Sequence, residues 1–263
     1  MKPAKWLLSC SILLSVALPF IPLVLWSLSD KWFYPALLPQ EMGLRAWKYI
    51  LDTAGSQIFS GLFDSTVLAL ITTMVSLLFG IPAGRALGLY NFYGKKLVVI
   101  IFTLPLIVPP LTVSMGLHFW FIKLSLAETF TGIVLIHLTF CLPYTIFVIM
   151  GIFSNYDPDF EDQARSLGAS SLTILFQIVF PLILPGIIVA ALFSFLLSWS
   201  QYLSTLIIGG GKILTLPILL FSLVLSGDRP VAAAVSLVFI FPVFIVLMYS
   251  AHNLGRQGIR GIR

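Results

Sequence analysis

The chain has 263 residues, of which 59% are hydrophobic and only 10% charged, with a mean hydropathy of +1.05. A water-soluble domain of this length could not bury so much apolar surface, so a soluble fold is excluded and an all-α, polytopic membrane protein is expected. The net charge of +5 does not indicate nucleic-acid binding, because no basic run with interleaved aromatics occurs; it reads as positive charge left on cytoplasmic ends and loops.

Taking about 20 apolar residues as the requirement for a span, the first runs from Leu7 to Leu28, behind Lys2 and Lys5, with Pro19 and Pro22 predicting a bend. It exceeds a signal-peptide core of about 7–15 residues and lacks an A-x-A-like cleavage site, so a retained helix is expected. Ser29 to Gly61 mixes charges with Trp32, Phe33, Trp47 and Tyr49, which suits either a stretch lying in the interface or an ordinary extramembrane loop. A second span covers Phe63 to Ala83, and the following Arg85, Lys95 and Lys96 place the next loop in the cytoplasm.

The third span, Leu97 to Phe121, carries Pro105, Pro109 and Pro110 and is expected to be bent or broken, which a membrane tolerates only where protein or a cavity satisfies the freed carbonyls. The fourth runs from Thr131 to Phe153 and the fifth from Ile183 to Ile208, ending at Gly209, Gly210 and Gly211. Ile213 to Ser226 is too short to cross and suits a re-entrant or interfacial helix, and Val231 to Ser250 is the last span. Six spans leave both termini on one side; Lys2, Lys5, Arg85, Lys95, Lys96, Arg165, Arg256, Arg260 and Arg263 make that side the cytoplasm. Cys10 and Cys141 fall in apolar runs and read as small core residues, and His118 and His137 as satisfied structural histidines.

Between spans four and five lies the one long polar segment flanked by apolar ones, Asp157 to Gly186. Asp157 before Pro158 matches a helix N-cap, and Asp159, Glu161 and Asp162 suit the positive end of the helix dipole. Phe160, Ala164 and Leu167 share a face, Gly168 supplies a left-handed stop, and Ser170 or Ser171 can cap a second helix running toward Pro181. The result is either a compact helix-turn-helix knob or a plain interhelical loop.

The run FEDQARSLGASSLTILFQIVFPLILPG resembles the EAA loop of permeases from binding-protein-dependent ABC transporters. Leu167, Gly168 and Ala169, then Pro181 and Leu182, stand where that family has them; Asp162 and Gln163 depart from its usual Glu and Ala. The resemblance extends from about Asp64 to Tyr249. HLTFCLPYTIFVI and LSWSQYLSTLIIGGGKILTLP are similar to the polyamine-type branch.

The resemblance implies a single permease domain of the type I importer fold over 1–263, with its core at about 64–250 and a coupling loop at 157–186. It implies a second permease subunit, homologous or identical, two ATP-binding cassette subunits, an extracytoplasmic solute-binding protein, and a place in the bacterial inner membrane. Phe160, Glu161, Asp162, Gln163, Ala164, Arg165, Leu167, Gly168 and Ala169 would couple to the ATPase. The cargo would be a polyamine-like cation or another small organic solute or ion.

No G-x-x-x-x-G-K-[ST] occurs, so ATP and Mg would belong to the partner and this chain would carry no cofactor. Neither H-E-x-x-H nor G-x-S-x-G is present, which weighs against an intramembrane enzyme. For the pathway, Pro109 in the broken span and Ser198, Trp199, Ser200, Gln201 and Tyr202, polar groups in an apolar run, are candidates; hydrogen bonds to a neighbouring helix are the other reading of the cluster. An ion-coupled secondary transporter is the alternative, disfavoured by the lack of Asp, Glu, Lys or Arg deep in spans three to six.

Overall fold

The computed structural model describes residues 2–260; Arg263, counted above with the basic C-terminal end, lies outside them. Helices α1 (Lys2–Ala17) and α2 (Phe20–Ser27) are separated at Leu18 and Pro19, where the bend was expected. Strands β1 (Ser29–Lys31) and β2 (Glu41–Met42) then form a small antiparallel ribbon in the first loop of a chain whose other elements are helices, as expected. The short α3 (Arg45–Lys48) and a π turn lead into α4 (Gly55–Leu89). That helix starts well before Phe63, because helical geometry tolerates the polar Ser56, Gln57 and Ser60 that a hydropathy window rejects.

After α4 come α5 (Lys95–Ile107), α6 (Pro110–Lys123), α7 (Phe130–Phe153), α8 (Asp159–Ser166), α9 (Ser171–Ile174), α10 (Phe180–Trp199), α11 (Leu203–Gly209), α12 (Leu216–Ser226) and α13 (Arg229–Arg260). Five helical stretches among the described residues are long and apolar enough to cross a membrane, and α5 with α6 makes a sixth in two pieces bent by 106°. The cause is local. A residue before proline is pushed out of the α region; Val108 precedes Pro109, and Pro109 precedes Pro110, so two consecutive residues take extended ψ of 134° and 133°. Pro105, by contrast, is accommodated inside α5. At 11 residues, α12 is only about 16 Å long, too short to cross, as expected.

The fifth span differs from its sequence reading at both ends. It begins at Ser171, running through a π turn at Leu175–Val179 into α10 without interruption. The wide turn ends just before Pro181, whose missing N–H leaves the Gln177 carbonyl without its usual partner and whose ring needs the extra room. The expected second short helix is therefore the first turn of a long one. At the other end α10 stops at Trp199, and α11 is a separate helix.

By packing, the chain forms two compact units, residues 1–63 with 214–243 and residues 64–213 with 244–263. In the first unit the described side chains of α1 are all exposed, apolar over most of its surface, as suits lipid contact; Cys10 is among them, so only Cys141 is a core residue. Arg45 holds Asp228 through two hydrogen bonds of 3.0 and 2.8 Å, which keeps that carboxyl below its usual range. Arg229 lies over the ring of Trp26, itself stacked on Trp32 at 4.4 Å.

The second unit is built around α7, which buries residues on every side, from Ile133 and Ile136 to Ile149 and Phe153. Leu68, Phe121, Ile133, Ile136, Phe140 and Ile208 make one core; Ile149, Phe153, Ile174, Val179, Ile183 and Ile187 make another, beside α8. Helix α4 lies close against α7 along Gly80, Gly84 and Gly88: a Cβ on Gly84 would stand 2.7 Å from the Ile149 Cβ and 2.9 Å from the Ile146 carbonyl. The Ser76 and Thr145 hydroxyls bond across the same seam at 2.7 Å.

Candidate functional site

Helix α8 opens one residue later than its sequence suggests, with Pro158 at the N-cap and Asp159 as the first helical residue. Asp157 Oδ1 accepts from the Asp159 N–H at 3.0 Å, and Asp159, Glu161 and Asp162 occupy the first turn, where anions oppose the exposed N–H groups. It closes on Gly168, at φ 85°. The Gly168 N–H donates to the Arg165 carbonyl at 3.0 Å and the Ala169 N–H to the Ala164 carbonyl at 3.1 Å, the paired bonds of a Schellman motif. Ser170 then caps the next helix, accepting from the Thr173 N–H at 3.2 Å.

The two faces of α8 differ sharply. Phe160 is 48% exposed and Leu167 89%, while Asp159, Asp162, Gln163 and Arg165 also face outward. Arg165 donates to Asp162 at 2.9 Å on the open surface, a pair worth no more than about 1 kcal/mol. Ala164, which shares a face with Phe160 and Leu167 by helical spacing, is partly buried and packs against the core of Ile149, Phe153 and Val179, so it marks the border where that face meets the permease. Glu161 does not belong to the outward surface: it is 7% exposed, and its two carboxylate oxygens accept from the Arg85 guanidinium at 2.9 and 2.8 Å. Arg85 also sits 5.7 Å from the centre of the Phe153 ring. Beside it, burial and then the Glu161 carboxylate push the Tyr156 phenol up to about 12.

The pathway candidates separate into two groups. Pro109 stands at the sharp break between α5 and α6. Ser198 and Trp199 are 3% and 2% exposed, so they face the interior of the second unit. The helix breaks immediately after them, at Ser200 and Gln201, and Gln201 and Tyr202 are partly exposed there. A hydroxyl helps to make the break: Ser200 Oγ donates back to the Leu197 carbonyl at 3.1 Å, competing with the regular ladder, while Ser204 Oγ donates to the Gln201 side chain, at Oε1, at 2.8 Å.

His137 spans this break. Its Nδ1 lies 2.8 Å from Ser198 Oγ on α10 and its Nε2 2.8 Å from Thr205 Oγ1 on α11. Thr205 Oγ1 already donates its one proton to the Gln201 carbonyl at 2.6 Å. It must therefore accept from the imidazole, which assigns the proton to Nε2 and makes Nδ1 the acceptor for Ser198. The satisfied structural histidine is thus found here, whereas the Nδ1 of His118 has no hydrogen-bond partner among the described residues. Replacing His137 with Leu is expected to cost about 1–3 kcal/mol, because the buried Ser198 hydroxyl loses its partner. Adding Ser198→Ala should recover most of the loss, as read from thermal unfolding in detergent.

A family model described as the binding-protein-dependent transport system inner membrane component matches residues 76–260. The chain belongs to that family. This permease is 29% identical over 194 residues to the spermidine/putrescine transport system permease protein PotC of Haemophilus influenzae, covering 74% of this chain and 75% of that protein. It is 28% identical over 230 residues to the arabinooligosaccharides transport system permease protein AraQ of Bacillus subtilis, covering 85% and 81%. Its fold matches that of a bacterial ABC transporter involved in the import of the acidic polysaccharide alginate, with a TM-score of 0.69 at 20% identity over 95% of each chain. It is a permease subunit of a binding-protein-dependent ABC importer, a multi-pass membrane protein.

Proposed function

We propose that this permease is the membrane-spanning half of an ATP-driven importer in which α8 is the coupling helix. The observation that carries the reading is the division of α8 into an anchored inner face and an exposed outer one, in a segment carrying the Leu167-Gly168-Ala169 signature. Phe160, Leu167 and Gln163 supply an apolar and polar surface with acids at its edge, suited to a groove on an ATP-binding subunit. Asp162, Arg165 and Ala169 flank it, Gly168 sets its angle, and Glu161 and Ala164 hold it to the permease. Two ATP-binding cassette subunits bind ATP and Mg and lie in the cytoplasm, where both termini of this chain also lie. A second permease subunit, identical or homologous, completes the pathway in the bacterial inner membrane.

The solute arrives on an extracytoplasmic binding protein. Closure of the ATPase pair moves α8, and with it α7 and α10, so that the pathway alternates its access. Pro109, Gln201 and Tyr202, at two breaks in helical structure, are the pathway candidates, since irregular backbone at membrane depth persists where it lines a cavity or is covered by protein. Ser198 and Trp199 support that region from inside. The cargo is a small polar or charged solute. Likeness to the PotC branch favours a polyamine-like cation, and likeness to AraQ keeps other small organic solutes in play.

Detergent extraction and mass spectrometry test the reading. The permease should be recovered with an ATP-binding subunit and, after reconstitution, should take up solute only with ATP and the binding protein. A chain that purifies alone and transports on an ion gradient would establish the secondary-transporter alternative instead.

A further inference from the structure

We infer that Arg85 is the positioning residue that gears the coupling helix to the second span, so that ATP-driven movement of α8 is delivered to α4 as well as to the spans α8 is covalently joined to. The inference rests on the importer reading above.

Helix α8 is joined covalently to its neighbours at its two ends, through residues 154–158 to α7 and residues 167–170 to α9. Two end tethers leave a short helix free to roll about its own axis. Rolling would carry Phe160 and Leu167 out of line with whatever they dock on, and would absorb a push from the partner without transmitting it. Contacts off the axis are what prevent rolling. At about 100° per residue, Glu161 and Ala164 point within about 60° of each other, and both meet the permease. Ala164 offers one methyl group to the core. Glu161 offers a largely buried, charge-assisted contact in which both of its carboxylate oxygens accept from the one Arg85 Nη2, at 2.9 and 2.8 Å, and a contact of that kind off the helix axis resists rolling.

Arg85 is itself well placed to receive the load. It lies between Gly84 and Gly88, the positions at which α4 approaches α7 too closely for a side chain, and its guanidinium stands beside the Phe153 ring at the end of α7. A pull on Glu161 therefore acts on a packed helix pair and not on a flexible loop. The positive charge of Arg85, first read only as a marker of loop orientation, acquires a mechanical role.

The test uses the whole transporter, with ATP-binding subunits and binding protein, reconstituted in phospholipid vesicles; solute translocated per ATP hydrolysed is the readout. R85Q should assemble, hydrolyse ATP, and show at least about a tenfold lower transport-to-hydrolysis ratio, a loss within the range of coupling between two sites. The charge-reversed pair R85E/E161R should return the ratio to within about threefold of the starting value. A merely structural role would lower assembly and leave the ratio of the assembled fraction unchanged. An unchanged ratio in R85Q overturns the inference, as does a charge-reversed pair no better than R85Q, or failure of both variants to assemble. Absence of ATP-driven uptake in the unmodified complex, measured first, would sink the importer reading and this inference with it.

Discussion

Replacing Gly168 with proline is expected to abolish ATP-coupled uptake while the chain still inserts in the membrane. Gly168 sits at φ 85° and its N–H bonds the Arg165 carbonyl. Proline fixes φ near about −65° and has no N–H, so both requirements fail together, at a cost of roughly 3 kcal/mol or more. A penalty of that size corresponds to about two orders of magnitude in the population of the native turn. Space is not the issue, since nothing lies within 4 Å of a Cβ built at Gly168. Alanine is therefore the informative intermediate: it meets only the left-handed penalty of about 1–2 kcal/mol and should leave partial uptake. Membrane insertion is checked by extraction of the chain with the membrane fraction, because the spans do not depend on this turn.

Gly84→Ala is expected to destabilise the second unit, and Gly151→Ala is not. At Gly84 the new methyl would meet the Ile149 Cβ and the Ile146 carbonyl of α7, both within 3 Å, and neither can yield without moving the α7 backbone. Forcing apart a packed seam costs about 1–3 kcal/mol, or a fall in Tm of roughly 3–10 °C for a chain of this size. Gly151 is a helical glycine with nothing within 4 Å of its Cβ, where alanine gains helix propensity of up to about 1 kcal/mol. Thermal unfolding of the two variants in one detergent separates packing from propensity. Because Gly84 neighbours Arg85, Gly84→Ala should also lower transport per ATP.

Features that depend on neighbours in sequence were legible from the residues. The acidic first turn, the Gly168 stop and the Ser170 cap are local chemistry, and each stands where the sequence puts it; Asp157 still accepts from the Asp159 N–H, one residue ahead of the N-cap at Pro158. Successive prolines at 109 and 110 likewise announce the break between α5 and α6. Features that depend on partners far along the chain were not legible. Glu161 looked like one more exposed acid, and only the fold brings Arg85, 76 positions away, to its carboxylate. His137 could be read as satisfied but not as the link across a broken helix, since Ser198 and Thr205 are 61 and 68 positions distant. The fifth span was drawn through to Ile208 because hydropathy averages over Ser198 to Tyr202, whereas backbone geometry responds to each hydroxyl. The ribbon of Ser29–Lys31 with Glu41–Met42 carries no alternating apolar pattern, so nothing in composition reveals it.

A photo-crosslinking residue placed in turn at Leu167 and at Glu161, in the intact transporter, measures most directly whether α8 is the docking element. The outward face predicts that Leu167 captures an ATP-binding subunit, and the inward face that Glu161 captures only this chain. Capture of an ATP-binding subunit from Glu161, or of none from Leu167 in a complex that still transports, would contradict the account.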